Sequence, residues 1–459
     1  MSFRKVGVDL GLCGPHHISV GDEAGNVVRP PLHVGTSAQE FDRLYAHALE
    51  GASEDTRLKI IFEPTALIWL PFAIYTRAKG HLLYRVKTQQ LHDLREFYQR
   101  YRKNDRLDAK AGVKMPDDTL DELYLPSCDY MALERTTQQH EKLTEHLQRE
   151  KARIESLIEA LMPGVTKAVG EPFCQPARVI YEHLANPFAI QPLGRAGLQQ
   201  FINQHCREQI KPQKLEAIWR CAQNACELYQ HGHAFVDFEQ FGREIKRYYQ
   251  HLVAIETLLA DVEPEIQRYY QRVHPSRNIE TIYGIGEKLG PVFVAIIKDP
   301  NRFPSHTQIK SFIGMIPKLD ESSGSDKKGL PITKAGPPRA RRAGYLASEV
   351  ARRWDPQFAK IYYEAMVHKG HTHIEAVCVL INHMFMRALR VLKEDRPYVL
   401  RDLQGQPITP KAAREFIKEH LTVPEEIRRQ RRNKKRIQNQ LPRRRRRNRR
   451  LSSMVNSAD

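Results

Sequence analysis

Two groups of residues have types and spacing that could do chemistry, and the first is acidic. Asp9 closes a short apolar run, Val6-Gly7-Val8-Asp9, and Glu63 closes another, Lys59-Ile60-Ile61-Phe62-Glu63. Asp105 and Asp108 stand three apart in Lys103-Asn104-Asp105-Arg106-Leu107-Asp108-Ala109-Lys110, a helix-initiating stretch, and that spacing puts both on one helix face. Carboxylates from two strand ends and one helix face can converge on a shared point. Like charges gathered so closely repel or take up protons unless a cation sits among them. Mg2+ suits such hard oxygen donors, and two such ions about 3.5–4 Å apart clamp the attacking and leaving oxygens of a phosphodiester. Taken singly, each acid reads more readily as a surface or capping residue, Asp105 as an N-cap.

The second group is a loop, residues 320–336. It carries Ser322, Ser323 and Ser325 beside Lys327, Lys328 and Lys334, with Arg339, Arg341 and Arg342 just beyond. A hydroxyl among cations can attack phosphorus or present itself to a bound phosphate. The same composition also fits a solvated connector. Upstream, Ile282-Tyr283-Gly284-Ile285-Gly286 precedes an apolar helix. Backbone N–H groups at Gly284 and Gly286 could cradle a phosphate, or the pair could simply make a tight helical turn.

Both groups carry a resemblance to one family. Val6-Gly7-Val8-Asp9-Leu10-Gly11, Phe62-Glu63-Pro64-Thr65 and Lys103-Asn104-Asp105-Arg106-Leu107-Asp108-Ala109 resemble the N-terminal domain of insertion sequence 110 family transposases. The resemblance implies a ribonuclease H-like fold of the RuvC type. It also implies a DEDD site in which Asp9, Glu63, Asp105 and Asp108 hold Mg2+, as two ions, with Mn2+ able to substitute. Phe303-Pro304-Ser305, Phe312-Ile313-Gly314-Met315-Ile316-Pro317, Ser323-Gly324, Ile332-Thr333-Lys334-Ala335-Gly336 and Arg342 are similar, in order and spacing, to the same family's C-terminal domain. That likeness implies a serine nucleophile, Ser323, with Ser322 its rival. It leaves open whether the chain lies in the main family or its 1111 subgroup. The family's Gly-Asn after the lysine is Ala335-Gly336-Pro337 here.

Further implications of the resemblance are a transposase or recombinase that cuts and rejoins DNA at element ends and target, and a structured guide RNA. The active centre would be shared between subunits of a dimer or tetramer. Two other classes stay open: a metal-dependent junction resolvase in which water attacks, and a non-catalytic nucleic-acid-binding protein.

The elements that must position these residues divide the chain into four stretches. Residues 1–126 alternate strand-like and helix-like patterns, with strands expected at 5–10, 59–63 and 82–86, a helix at 66–79, and a hairpin pairing 18–20 with Val27 and Val28. That alternation predicts an α/β domain with a mixed sheet. In 127–277, Leu133, His140, Leu147, Ile154 and Leu161 recur every seven residues. Phe241, Ile245, Tyr248, Leu252, Ile255, Leu259, Val262, Ile266 and Tyr269 alternate steps of four and three, interrupted by Pro264. Two long helices flanking a helical insert would form either a dimerising coiled-coil arm or a hairpin within one chain. Residues 278–394 read as a mostly helical domain, and 395–459 as an extension with a helix at 411–420 and a basic tail, expected to be disordered when free.

Charge and composition narrow the partners. The net charge is +18, but residues 428–450 hold 14 Lys/Arg and no Asp or Glu, so 18 less 14 leaves +4 for the remainder. A near-neutral body with a polybasic arm points to a polyanion partner. No segment is apolar enough to span a membrane and no apolar leader opens the chain, so a cytoplasmic setting without membrane contact is expected. Seven scattered cysteines without a C-x-x-C pair are expected to be reduced thiols.

Overall fold

A computed structural model describes residues 2–64, 66–86, 90, 91, 94, 105–207, 209–317, 321, 322, 325, 326 and 331–432. At residues 105–107, 233, 321, 322, 325 and 326 it describes the backbone alone. The chain forms two compact units, Met1–Leu125 and Pro126–Asp459.

The first unit is built on β1 (Phe3–Asp9), β2 (His16–Gly21), β3 (Leu32–Val34), α1 (Ala38–Leu49), β4 (Arg57–Phe62), α2 (Trp69–Ala78), β5 (Leu82–Arg85), α3 (Asp105–Val113) and β6 (Asp121–Glu122). The strands make one mixed sheet in the order β3-β2-β1-β4-β5-β6. β1 pairs antiparallel with β2 and parallel with β4, and β4 pairs parallel with β5. The expected pairing of residues 18–20 with Val27 and Val28 is reduced to a single bridge, Gly21 to Val27, and one bond from Val28 N–H to the Val20 carbonyl. The partners of β2 are instead β1 and β3, because the ladders follow the strands whose apolar faces need covering.

Alternation divides the two faces of the sheet. Val6, Val8, Ile18, Val20, Ile60 and Phe62 point to one side and pack with Phe41 and Leu44 of α1 and Phe72 of α2. Ile61 points to the other side and packs with Val86, Ala111 and Met115. Lys5 and Lys59 share that second side, and both reach Asp117, at 2.7 and 2.6 Å. Burial of the Asp117 carboxyl would raise its pKa, but hydrogen bonds and charge from Lys5 and Lys59 outweigh that and hold it below the usual range.

The second unit opens with α4 (Cys128–Leu161), a helical insert, and α10 (Phe238–Val273). The insert comprises α5 (Val165–Val169), α6 (Gln175–His183), α7 (Pro187–Ile190), α8 (Gly194–His205) and α9 (Pro212–Leu228). α4 and α10 pack along one another within the chain. The Asp129–Arg272 ion pair (3.2 Å) and the polar contacts His140–Glu263 (3.6 Å) and Glu150–His251 (3.5 Å) run in opposite senses along the two helices, which makes them an antiparallel hairpin. The buried positions of α10 are Phe238, Ile245, Tyr249, Leu252, Ile255, Val262, Ile266 and Tyr270, so Tyr249 and Tyr270 lie deeper than the expected Tyr248 and Tyr269. Pro264 does not interrupt α10; it lies on the exposed side.

Beyond the hairpin come α11 (Gly290–Ile297), α12 (His306–Phe312), a two-stranded hairpin of β7 (Glu321–Ser322) and β8 (Ser325–Asp326), α13 (Pro338–Trp354), α14 (Pro356–Tyr363), α15 (His373–Glu394) and α16 (Pro410–His420). One core joins Leu133 of α4 and Val262, Ile266 and Tyr270 of α10 to these helices. A second joins Ile154 and Ile158 of α4 and Ile245 of α10 to the insert. The long hairpin therefore serves two cores, which explains why its apolar stripe faces its own chain. All seven cysteines are free. Among the described residues no helix is long and apolar enough to cross a membrane.

Candidate functional site

The acidic group is placed by strand register. Val8 of β1 stands opposite Phe62 of β4 in a parallel ladder. One residue further along each chain brings Asp9 and Glu63 beside one another at the carboxyl ends of neighbouring strands, roughly 4.8 Å apart by the ordinary strand spacing. Carboxyl ends of parallel strands are where open α/β sheets place ligands. By alternation from Lys5, Gly7 and Ile61, both acids belong to the face that α3 covers.

α3 lies on β1 with almost no side chain between them. A Cβ built on Gly7 would come within 1.9 Å of the Ala109 carbonyl oxygen and 2.9 Å of the Val113 nitrogen. The helix also has a direction: Lys5 donates to the Met115 carbonyl (3.0 Å), and Ala109 lies at Gly7. Its amino-terminal turn, with Asp105 and Asp108, therefore points along β1 toward Asp9. Gly7 lets a helix backbone approach close enough for helical and strand carboxylates to share a neighbourhood.

Asp9, Glu63 and Asp108 are each half-buried, while the side chain of Asp105 lies outside the described residues. Among the described residues no three His, Cys, Asp or Glu side chains are gathered tightly enough to hold a metal ion. The donor set itself, carboxylate oxygens on one sheet face, is the chemistry that Mg2+ or Mn2+ takes. Sequence reasoning passed over His17 and His33. Asp9 stands opposite His17, and His17 opposite His33, so the row across the sheet edge runs Glu63, Asp9, His17, His33. The two imidazoles meet edge to face at 4.4 Å. The signal was the alternation of β2, which buries His16 on one face and sends His17 to the other.

The serine loop is placed differently. Ser323, Gly324, Lys327 and Lys328 lie outside the described residues. β7 and β8 pair Ser322 with Ser325, so the interval between the strands is Ser323-Gly324. The loop is closed at its base by a Pro317–Ile332 bridge and by bonds from Thr333 N–H to the Ile316 carbonyl (2.8 Å) and Lys334 N–H to the Gly314 carbonyl (3.0 Å). Two chain passes cross just below. A Cβ on Gly336 would fall 1.9 Å from the Phe312 carbonyl, and one on Gly314 would fall 2.6 Å from the Gly336 nitrogen. Arg341 ties the crossing together by donating to the carbonyls of Ile313 (3.2 Å) and Gly336 (2.7 Å). Pro338 then starts α13 at its first turn, where a missing N–H costs nothing.

The remaining basic residues divide. Lys334 is exposed, on a left-handed backbone with φ 55°. Arg342 is 56% exposed and pairs with Glu145 of α4 at 3.0 Å. Lys142 first, and Arg342 more weakly, hold the Glu145 carboxyl below its usual range. Arg339, grouped with the phosphate-facing bases on sequence grounds, is turned inward: it is 12% exposed, donates to Thr137 (2.9 Å) and pairs with Glu141 (3.2 Å), so it fastens α13 to α4. Gly284 has φ 96°, and a Cβ there would lie 2.1 Å from the Ala347 carbonyl; its turn packs against α13. Gly286 is exposed with open space around it.

Comparison with known proteins agrees with both halves. Residues 6–163 match a transposase model of the DEDD type from IS110 elements, and residues 276–363 match the model described as the transposase IS116/IS110/IS902 family. Curated relatives include an uncharacterized 43.6 kDa protein of insertion element IS110 from Streptomyces coelicolor, 24% identical over 33% of this chain and 36% of its own. An uncharacterized 42 kDa protein of insertion element IS900 from Mycobacterium paratuberculosis is 23% identical over 48% and 54%, respectively. The pilin gene-inverting protein of Moraxella lacunata is 26% identical over 26% and 37%. The match spans between about a third and about half of the length of these relatives. The chain belongs to the IS110 family of transposases.

Proposed function

We propose that the protein is a DNA transposase or recombinase that cuts and rejoins strands at the ends of an insertion element and at its target. The observation that carries this reading is the register of Asp9 and Glu63 on the face covered by α3, within a region matched by a DEDD transposase model. The gene-inverting relatives support it, since inversion also requires strands to be cut and rejoined. In this reading the first unit has a ribonuclease H-like fold. Asp9, Glu63, Asp105 and Asp108 would hold two Mg2+ ions, with Mn2+ able to replace them. A bound divalent ion supplies stabilisation of negative charge on the phosphoryl oxygens.

The second unit supplies the nucleophile. The Ser323 Oγ forms a bond to the scissile phosphorus and its proton passes to solvent. The bond from phosphorus to the 3′ oxygen breaks, and that oxygen takes up a proton as a free 3′-hydroxyl, leaving a phosphoserine. Lys327, Lys328, Lys334 and Arg342 attract the phosphate backbone, while Arg339 and Arg341 hold the frame of the loop. The N–H groups at Gly284 and Gly286 remain a second candidate phosphate contact. A guide RNA pairing with donor and target DNA, and a carboxylate unit acting with the serine loop of another subunit in a dimer or tetramer, complete the proposal.

Ser322→Ala and Ser323→Ala, made separately, test the nucleophile. The Ser323 variant should lose the covalent protein–DNA adduct and strand transfer by about 10⁴-fold or more, the scale of removing a nucleophile. Full strand transfer by both variants would make water the attacking group. Sequencing of RNA that co-purifies with the protein tests the guide: a discrete species encoded beside the gene supports it, and random RNA overturns it.

A further inference from the structure

Between the end of α13, α14, α16 and the chain after α16 lies a groove of about 660 Å³. Its walls carry Arg352, Arg353, Lys411, Arg414, Lys418 and Arg428, against a single acid, Glu415. Among the described residues Lys411, Arg414, Lys418 and Arg428 have no carboxylate within ion-pair distance, whereas Arg339, Arg342, Arg352 and Arg390 each have one. Arg352 is part of the wall: it is bidentate to Glu349 at 2.9 and 2.7 Å and lies 4.6 Å from the centre of the Tyr362 ring. Exposed cations left unneutralised around a cavity raise the local concentration of polyanions.

The groove also has an aromatic floor. Trp354 lines it, with the Arg414 guanidinium 4.4 Å from the indole centre and Tyr283 stacked at 6.2 Å and 19°. A guanidinium lying on a ring keeps its N–H edges free for phosphate, and flat cationic or aromatic faces take unpaired bases. Past Arg352, Tyr362 and Arg428 a second cavity of about 410 Å³ continues, lined also by Arg431 and Arg432. In sequence, ten further Lys/Arg follow within residues 433–450. The groove thus leads to Arg431 and Arg432, part of the polybasic segment in sequence. Most of its unpaired cations lie beyond residue 363, outside both stretches matched by family models.

We propose that this groove binds a single nucleic-acid strand, its phosphodiester backbone on Lys411, Arg414, Lys418 and Arg428 and an unpaired base against Trp354. The inference rests on the reading of the protein as a nucleic-acid enzyme, but none of the groove's residues belongs to the carboxylate group or to the serine loop. The test uses the full chain with Lys411, Arg414 and Lys418 replaced by Gln. Binding of labelled single-stranded RNA and single-stranded DNA is measured by fluorescence anisotropy at several salt concentrations. Three phosphate contacts fewer should flatten the slope of log affinity against log salt by about 2, at roughly 0.7 per contact for single strands. The Lys411→Arg, Lys418→Arg pair should keep the slope. The part of the intrinsic fluorescence that Trp354→Phe removes should be quenched by the bound strand. A larger loss on RNA assigns the groove to RNA, and a larger loss on DNA assigns it to DNA; both support the proposal. An unchanged slope on both, in a protein whose thermal melting is unaltered, overturns it. Ser323→Ala should leave this binding intact, so failure of the groove and failure of the catalytic reading are told apart.

Discussion

The strand-end carboxylates of the first unit and the serine loop of the second are held by opposite means. Asp9 and Glu63 ride on neighbouring parallel strands, whose hydrogen-bonded ladder fixes their relative position to within the pleat. β7 and β8 form a short hairpin that owes its placement to a neck several residues off on either side, where Gly314, Gly336 and Arg341 cross. The difference teaches where tolerance lies. On the proposed reading, substituting a strand-end acid should change chemistry and leave the scaffold standing, whereas the loop should be displaced by changes that never touch its serines.

The largest effect should come from Asp9→Asn. It should lower strand cleavage by about 10³-fold, the scale of losing one group that stabilises developing charge, while melting temperature stays close to that of the parent. Cleavage assays with thermal denaturation check this. A fully active variant would remove the first unit from the chemistry.

Gly7→Ala and Gly336→Ala sharpen the contrast. Each puts a methyl group 1.9 Å from a carbonyl oxygen, so backbone must move, at a cost of about 2–4 kcal/mol in the unit concerned. The first should loosen α3 from β1, and the second should open the loop neck. Hydrogen exchange should locate each loosening in its own unit, and spread of either effect to the other would break the comparison.

Arg339→Ala should cost about 1–3 kcal/mol, since it leaves Thr137 and Glu141 without their donor across the contact between α13 and α4. Strand transfer should fall only as far as folding does. If the loss exceeds the change in stability, Arg339 also meets phosphate.

The smallest effect concerns pH. Arg178 on α6 forms two 2.8 Å bonds with Glu256 on α10. That hydrogen bond and charge hold the Glu256 carboxyl below its ordinary 4.5 despite partial burial. A depressed folded-state pKa means the contribution is present at neutral pH and above the unfolded value. It is lost as pH falls through the folded value, below 4.5. Glu256→Gln should therefore lower the melting temperature at neutral pH by a few degrees at most and remove part of its dependence on pH below 4.5. An unchanged acid profile would show that the pair adds nothing to the attachment of the insert to the long hairpin.

Much of the first unit was legible in the chain. The strands that end at Asp9 and just before Glu63 follow from short apolar runs, and α2 and the mixed sheet from the strand–helix alternation around them. The partner of β2 was not, because a short turn near Val27 signals a hairpin locally, while the ladder with β1 and β3 is a long-range choice. In the second unit, the two long helices were legible as helices, but a heptad stripe looks the same whether its partner is another subunit or the same chain. Two cores, one at each end of the α4–α10 hairpin, decided for the chain itself.

What the sequence determined by itself was the inventory: the acids and their spacing, the serines among lysines, the glycines at fixed offsets and the asymmetry of charge. Only the tertiary structure decided which cations face outward. Arg339 and Arg342 are three residues apart on one helix, yet one is 12% exposed against α4 and the other 56% exposed. Lys411, Arg414 and Lys418, unremarkable in the chain, line a groove beside Trp354 from a helix more than fifty residues away. Side-chain type and spacing are local properties fixed by the chain. Whether a charge is neutralised or left open depends on what packs against it, and that is set by contacts between segments far apart in sequence.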